Sequence, residues 1–205
     1  MILGYQEQKE ILAKYNLKTP QSFFIEDKEQ VSLAVEKIGF PLVMKISSRN
    51  HLHRTEVGGV FKDIKNKEEA EDAFTTLNKI TDIDGVVAEE QINGAEFIVG
   101  VKNDHSFGKV LMFGSGGVMV EVFNDLSFRV LPIKSEDALE MINEIKGRKF
   151  LEGFRGGEEV DKKIITDFLV SVSLLAEEEK FKEADFNPVI VNSEGAFICD
   201  VKIIV

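Results

Sequence analysis

Four polar side chains sit inside two apolar runs in the last quarter of the chain, and they constrain the fold more than any other feature. The runs are Ala184-Asp185-Phe186-Asn187-Pro188-Val189-Ile190-Val191 and Ala196-Phe197-Ile198-Cys199-Asp200-Val201-Lys202. β-Branched and aromatic residues dominate both. Between them, Asn192-Ser193-Glu194-Gly195 puts Asn first and Gly last in a four-residue turn, so the segment predicts an antiparallel hairpin. A two-residue loop at Ser193 and Glu194 then sets Asn187 directly opposite Asp200. Opposed residues share a face, so Asp185, Asn187, Asp200 and Lys202 all project from one side. One amide, two carboxylates and one ammonium converge there. Such oxygen ligands suit Mg2+, which is held by one or two carboxylates plus substrate phosphates; the alternative is a solvated hairpin face.

The rest of the chain supplies two kinds of period. Ile11, Leu12 and Tyr15 predict a short amphipathic helix over Tyr5 to Asn16, broken by Thr19-Pro20. A second helix from about Asp27 to Lys37 stops at Gly39, a strand follows over Phe40 to Ile46, and Ala70, Ala73, Phe74 and Leu77 mark a helix over Lys67 to Ile80. From Gly85 the pattern turns to strands at Val86 to Ile92, Glu96 to Lys102, Val110 to Phe113, Val118 to Phe123 and Phe128 to Ile133, spaced as in an antiparallel sheet. Helices return at Ser135 to Lys146, with Ser135 as N-cap, and at about Glu158 to Lys180. The expected class is α+β: an N-terminal helical segment over 1–20, one sheet-bearing lobe over 21–92 and a second over 93–205, with a hinge near Glu89 to Gly94.

Composition excludes some partners. At 205 residues the chain can bury roughly 70% of its unfolded surface without disulfides. Its single cysteine, Cys199, reads as a core thiol in a reducing compartment. With no basic leader and no apolar stretch approaching about 18 residues, a cytoplasmic protein without a membrane span is expected. A net charge of -11 argues against nucleic acid. An anionic ligand would have to be held by local lysines, backbone N–H groups and a metal ion.

Several segments meet that requirement. Lys45 alternates with Leu42, Met44 and Ile46, so it projects from the face opposite theirs, either as a phosphate clamp or as a snorkelling surface lysine. The segment Ser47 to Val60 carries His51, His53, Arg49, Arg54 and the pair Gly58-Gly59 without an apolar period. Its glycine N–H groups can approach phosphate oxygens, and a histidine beside arginines can accept a phosphoryl group. Glu89, Glu90 and Gln91 at the lobe junction offer acceptors to a base edge, and Glu96 is placed for a ribose hydroxyl; solvated strand ends are the alternative. Phe113-Gly114-Ser115-Gly116-Gly117 precedes a strand pattern rather than a helix, so it is not a dinucleotide fingerprint. Arg129 is placed either to contact phosphate or to pair with Glu121.

Taken in order, Phe40-Pro41 to Lys45, His53-Arg54-Thr55-Glu56-Val57-Gly58-Gly59-Val60, Glu89-Glu90-Gln91 to Glu96, Val99 to Asp104, Met112 to Gly117, Phe128 to Pro132, and Asp185-Phe186-Asn187-Pro188 to Asp200 resemble one family. It is that of the ATP-grasp β subunits of ADP-forming acetyl-CoA (acyl-CoA) synthetases, relatives of succinyl-CoA synthetase, and the resemblance covers nearly the whole chain. It implies an ATP-grasp fold of two α+β lobes clamping Mg-ATP, with ATP/ADP as substrate and Mg2+ as cofactor. It also implies a partner α subunit, in an α2β2 assembly, that binds CoA and carries a phosphorylated histidine. Residue by residue, it implies Lys45 on the phosphates, Gly58, Gly59 and Val60 as the phosphate loop, Glu89, Glu90 and Gln91 at adenine, and Glu96 at ribose. Asn187 and Asp200 become the Mg2+ ligands, Asp185 a support for the phosphohistidine, His53 a phosphoryl relay, and Arg129 a third catalytic candidate. The family has His-Lys where this chain has His53-Arg54, and Ser or Thr then Asp where it has Thr55-Glu56. A stand-alone ATP-grasp carboxylate–amine ligase and a nucleotide-sensing module without turnover are the competing expectations.

Overall fold

In the computed structural model, residues 1–50, 57–117, 124–153 and 159–205 are described. They divide into two compact units, Met1–Tyr5 with Pro20–Gln91, and Gln6–Thr19 with Ile92–Val205. The α+β mixture expected from the two periods is what forms. The segment 1–20 is shared between the units rather than standing apart.

The first unit is a four-stranded antiparallel sheet, β1 (Ser22–Ile25), β4 (Gly85–Glu90), β2 (Leu42–Ser47) and β3 (Val60–Ile64) in that spatial order. Helices α2 (Gln30–Ile38) and α3 (Lys67–Leu77) supply its core. Leu42, Met44 and Ile46 from β2 join Val86 and Ala88 from β4, Val31 and Ala34 from α2, and Ala73, Phe74 and Leu77 from α3 in one buried cluster. Gly39 ends α2 at φ +79, where a side chain would be strained. Asn66 caps α3, its side chain accepting from the Glu69 N–H at 2.9 Å.

The second unit is a six-stranded antiparallel sheet ordered β10 (Val201–Ile204), β8 (Glu183–Asn192), β5 (Ala95–Asp104), β6 (Gly108–Ser115), β7 (Leu126–Val130), with β9 (Gly195–Ile198) also paired to β8. Helices α4 (Ser135–Glu144) and α5 (Lys162–Glu178) pack on each other, α4 against β7 and α5 against β9. Phe97, Phe113 and Phe186 are fully buried, and Phe97 stacks on Phe113 at 5.4 Å between ring centroids. Helix α1 (Tyr5–Lys14) enters this unit at Gln6, and the Tyr15 hydroxyl just beyond it donates to Glu178 and Glu179 at 3.0 and 2.8 Å.

Several boundaries differ from expectation, among them those of α4, α5 and β7. Ser135 is the first residue of α4 rather than its cap: the Asp137 carboxylate reaches back to the Lys134 N–H at 2.8 Å, so Lys134 takes the cap position. Helix α5 starts at Lys162, capped by Asp161, not at Glu158. Strand β7 ends at Val130, before Leu131-Pro132. The strand expected at 118–123 lies outside the described residues.

Candidate functional site

In the first unit Lys45 stands between Val60 on β3 and Val87 on β4. Because Leu42, Met44 and Ile46 fill the helix side of the sheet, Lys45 projects from the other face, as the alternation requires. Its ammonium lies 2.6 Å from Glu89 Oε1, with only 9% and 8% of the two side chains exposed. A lysine this buried needs a counter-charge, and Glu89, diagonal to it across the ladder, provides one. Glu89 therefore engages Lys45 rather than standing open as an acceptor for a base edge. Gly58 adopts φ +68 with nothing within 4 Å of where a Cβ would stand, so its requirement is conformational. The Gly59 carbonyl accepts from the Ile46 N–H at 2.9 Å, which locks the glycine loop beside Lys45 as β3 begins.

Glu90 is exposed, its N–H donating to the Gln21 carbonyl at 2.9 Å. The Gln91 amide is held twice by Asp63: Oε1 accepts from the Asp63 N–H at 2.7 Å, and Nε2 donates to Asp63 Oδ1 at 2.6 Å. Asp63 sits at φ +57 where the β2–β3 register shifts. His53, with His51 and Arg54, lies outside the described residues.

In the second unit the hairpin has the register its turn chemistry predicts. Asn192 pairs with Gly195, Val189 with Ile198, and Asp185 with Lys202. The Asn187 N–H donates to the Asp200 carbonyl at 3.1 Å, so those two residues are indeed opposed. What the sequence does not reveal is that the ladder to β5 shifts register at this point. Along β5 the pairing passes from Phe97 with Val189 to Val99 with Phe186, so Asn187 and Pro188 together face Ile98 in a bulge. On the other side Cys199 and Asp200, between β9 and β10, stay in register with β8, the Cys199 N–H donating to the Pro188 carbonyl at 3.0 Å, and Asp200 Oδ1 accepts from the Val201 N–H at 2.8 Å. The bulge lies at the rung where an amide faces a carboxylate; Asn187 is exposed, between buried Phe186 and half-buried Pro188, and Asp200 is half-buried. Among the described residues no group of three or more His, Cys, Asp or Glu side chains could hold a metal ion. An amide–carboxylate pair fits Mg2+ completed by phosphate oxygens and water, and does not fit a closed thiolate–imidazole site.

Glu96 is exposed on β5, and its carbonyl accepts from the Gly116 N–H at 2.8 Å. A Cβ on Gly116 would stand 2.5 Å from Glu96 Cγ and 2.8 Å from its backbone carbonyl, so only glycine permits this approach. The neighbouring Ser115 belongs to a network that sequence reasoning missed. Buried Asp125 accepts from the Ser115 hydroxyl and from the Lys146 and Gly147 N–H groups at 2.7 and 2.8 Å. Burial pushes the Asp125 carboxyl up, but these three donors together more than offset it and hold the group below the usual carboxylate range.

Of the two placements expected for Arg129, the structure shows a pairing with carboxylates. Arg129 is paired across the ladder with Leu111, which is fully buried, and so lies on the helix-covered face. Its guanidinium is 2.6 Å from Glu144 and 3.3 Å from Glu140 on α4. Those contacts, led by the bond to Glu144, raise the Arg129 pKa. Carboxylates on α4 engage it, while Glu121, the partner considered from the sequence, lies outside the described residues. Asp185 lies on the opposite, open face. There, successive rungs read Lys202, Asp185, Gly100, Met112, Phe128 and Ile204, Glu183, Lys102, Val110, Val130. Gly100, Met112, Phe128 and Asp185 line a cavity of about 570 Å³.

The whole chain, residues 1–205, matches the ATP-grasp domain family. It is 42% identical over 206 residues to "Acetate--CoA ligase [ADP-forming] II" of Archaeoglobus fulgidus, covering all of this chain and 30% of that protein. To the Pyrococcus furiosus "Acetate--CoA ligase [ADP-forming] I subunit beta" it is 41% identical, covering 97% of this chain and 89% of the subunit. Thus it spans nearly a whole β subunit but under a third of the longer archaeal relative. Among solved structures, the acetyl-coenzyme A synthetase 1 of Ca. Korarchaeum cryptofilum in complex with coenzyme A and Ca-AMPCP superposes with a TM-score of 0.91 at 36% identity, over all of this chain and 93% of that one. Another complex of that synthetase contains Mg-AMPPCP, with its phosphohistidine segment pointing towards the nucleotide binding site (TM-score 0.83, 36% identity, 99% and 92% coverage). The expected ATP-grasp fold is therefore the fold found, and the chain belongs to the ATP-grasp family, within it to the ATP-grasp subunits and domains of ADP-forming acetate–CoA ligases.

Proposed function

We propose that this chain is the nucleotide-binding β subunit of an ADP-forming acyl-CoA synthetase. The enzyme interconverts acyl-CoA, ADP and phosphate with free acid, CoA and ATP, through an acyl phosphate and a phosphohistidine carried by a CoA-binding α subunit, in an α2β2 assembly in the cytoplasm. The observation that carries this reading is the pairing of Asn187 with Asp200 at the β8 bulge, in a chain 41% identical to a β subunit across 89% of its length. In the proposed assignment Lys45, Gly58, Gly59 and Val60 hold the phosphates, Glu90 and Gln91 with the strand that carries Glu89 meet adenine, and Glu96 meets ribose. Asn187 and Asp200 would hold Mg2+, which supplies charge neutralisation at the phosphate oxygens. As the γ-phosphoryl moves, the P–O bond to ADP breaks with its electron pair on the ADP oxygen, and a neutral imidazole nitrogen forms the new P–N bond. The ring retains the proton on its other nitrogen, and Asp185 accepts a hydrogen bond from that N–H. His53 is the proposed relay. Arg129, bound to Glu144 and Glu140, is assigned to holding α4 on the sheet and not to catalysis.

Among the described residues no helix is long and apolar enough to cross a membrane. The test is reconstitution. The purified chain should bind Mg-ATP and release ADP only when a CoA-binding α subunit, CoA and an acid are all present. Turnover with an amine acceptor alone would make it a stand-alone ligase; binding without turnover under any combination would make it a nucleotide-sensing module.

A further inference from the structure

The open face of the six-stranded sheet carries a cation that this reading leaves idle. Lys202 on β10 is directly across from Asp185, and the next rung sets Glu183 opposite Lys102. On this patch of sheet two carboxylates, Asp185 and Glu183, are neighbours on β8, with Lys202 and Lys102 on the strands to either side. Opposed side chains on antiparallel strands have Cβ atoms about 5 Å apart, and an opposite-charge pair at that spacing ordinarily closes. Here it does not: Lys202, half-buried, makes no ion pair within 4.0 Å among the described residues. On the other side of Asp185 the rung continues to Gly100, which has no side chain, so the cavity lined by Met112 and Phe128 opens beside the carboxylate.

A carboxylate and an ammonium held side by side but apart match a ligand that is itself dipolar. A half-buried ammonium that does not close on the carboxylate across from it keeps its N–H donors for an incoming anion. A phosphohistidine has both poles: a ring N–H that seeks an acceptor, and phosphoryl oxygens that seek a donor.

Resting on the function proposed above, we infer that Lys202 is the phosphoryl-holding residue of the transfer site, with Asp185 accepting from the ring N–H of the partner's phosphohistidine. In the ATP-forming direction the P–N bond breaks and its electron pair returns to the ring nitrogen, while an oxygen of the terminal phosphate of ADP forms the new bond to phosphorus. Lys202 donates hydrogen bonds to the equatorial oxygens throughout and gives up no proton. It stabilises charge where the phosphoryl group is least attached to either neighbour.

The test uses Lys202→Met and Lys202→Arg in the enzyme assembled with its α subunit. The readouts are the rate at which acid-labile phosphate appears on the α subunit from Mg-ATP, the Kd for Mg-ATP, and the thermal unfolding midpoint. Lys202→Met should slow phosphoryl transfer by about 100-fold, the scale of losing one charge-stabilising donor, with Kd and midpoint close to wild type. Lys202→Arg, which keeps the charge, should recover most of the rate. A Lys202→Met enzyme with the wild-type transfer rate overturns the assignment. So does one whose loss lies wholly in Mg-ATP affinity, or one that Lys202→Arg fails to rescue while the midpoint falls. If the wild-type enzyme forms no acid-labile phosphate, the functional reading and this assignment fail together; a phosphorylating wild type with an unaffected Lys202→Met overturns the assignment alone.

Discussion

At the scale of single residues, buried charge decides most. Lys45 and Glu89 are each less than a tenth exposed, so removing one charge leaves the other buried without its partner at 2.6 Å. Replacing Glu89 by Gln keeps an acceptor for the ammonium but removes the counter-charge. It should destabilise the protein by roughly 3 kcal/mol, the scale seen when one partner of a buried pair is lost; chemical denaturation measures it, and a loss below about 1 kcal/mol would mean that the pair is effectively solvated. His53 makes the opposite kind of prediction. As a relay it contributes nothing to nucleotide binding, so His53→Ala should abolish acyl-CoA synthetase turnover while leaving the Kd for Mg-ATP nearly unchanged, and unaltered turnover in the assembled enzyme would sink the relay role. Asp125 adds a pH dependence. Its folded-state pKa is depressed, so its stabilisation is present above the ordinary carboxylate value of about 3.9 and is lost as pH falls through the folded value. Asp125→Asn should therefore cost about 2 kcal/mol near neutral pH, and the gap between its unfolding midpoint and that of wild type should close in acid. A gap independent of pH would show that the carboxylate's charge contributes nothing.

At the scale of elements, the useful features are the places where regular pairing stops. Strand β8 is continuous over Glu183–Asn192 and in one register with β9 and β10, yet its ladder to β5 shifts register beside Asn187. A bulge costs ladder hydrogen bonds and re-aims a side chain; here it exposes an amide beside a carboxylate in the middle of a sheet. The β2–β3 hairpin has its own bulge, where Asp63 adopts a left-handed conformation and its carboxylate and N–H hold the Gln91 amide. The 3-10 turn at Lys146–Phe150 is tied down by Asp125 through its first two N–H groups, and a Cβ on Gly147 would come 1.9 Å from the Ser115 hydroxyl. Ser115 and Gly147 are far apart in the chain, so only the folded sheet explains the glycine.

At the scale of the whole molecule, the chain builds two sheets, each with its own core, and passes between the two units after Tyr5, Thr19 and Gln91. A ligand that binds only the folded state stabilises it by about 2.7 kcal/mol at a hundred times its Kd. Mg-ATP at that excess should therefore raise the unfolding midpoint by about 5 to 10 °C for a chain of this length. A chelator should remove most of the shift if Asn187 and Asp200 hold the metal; an equal shift for metal-free ATP would contradict that assignment. What the sequence by itself determined were the short-range rules. Strand alternation put Lys45 opposite Leu42, Met44 and Ile46, and an Asn-to-Gly turn set the register of Asn187 with Asp200 and Asp185 with Lys202, because side-chain period and turn geometry depend only on neighbours in the chain. The tertiary structure decided which distant charges meet. Glu89 went to Lys45 and Arg129 to Glu144, Asp125 gathered Ser115 with Gly147, and the bulge singled out Asn187. A buried charge takes whichever opposite charge the assembled sheets and helices bring within reach, and its position in the sequence does not specify that partner.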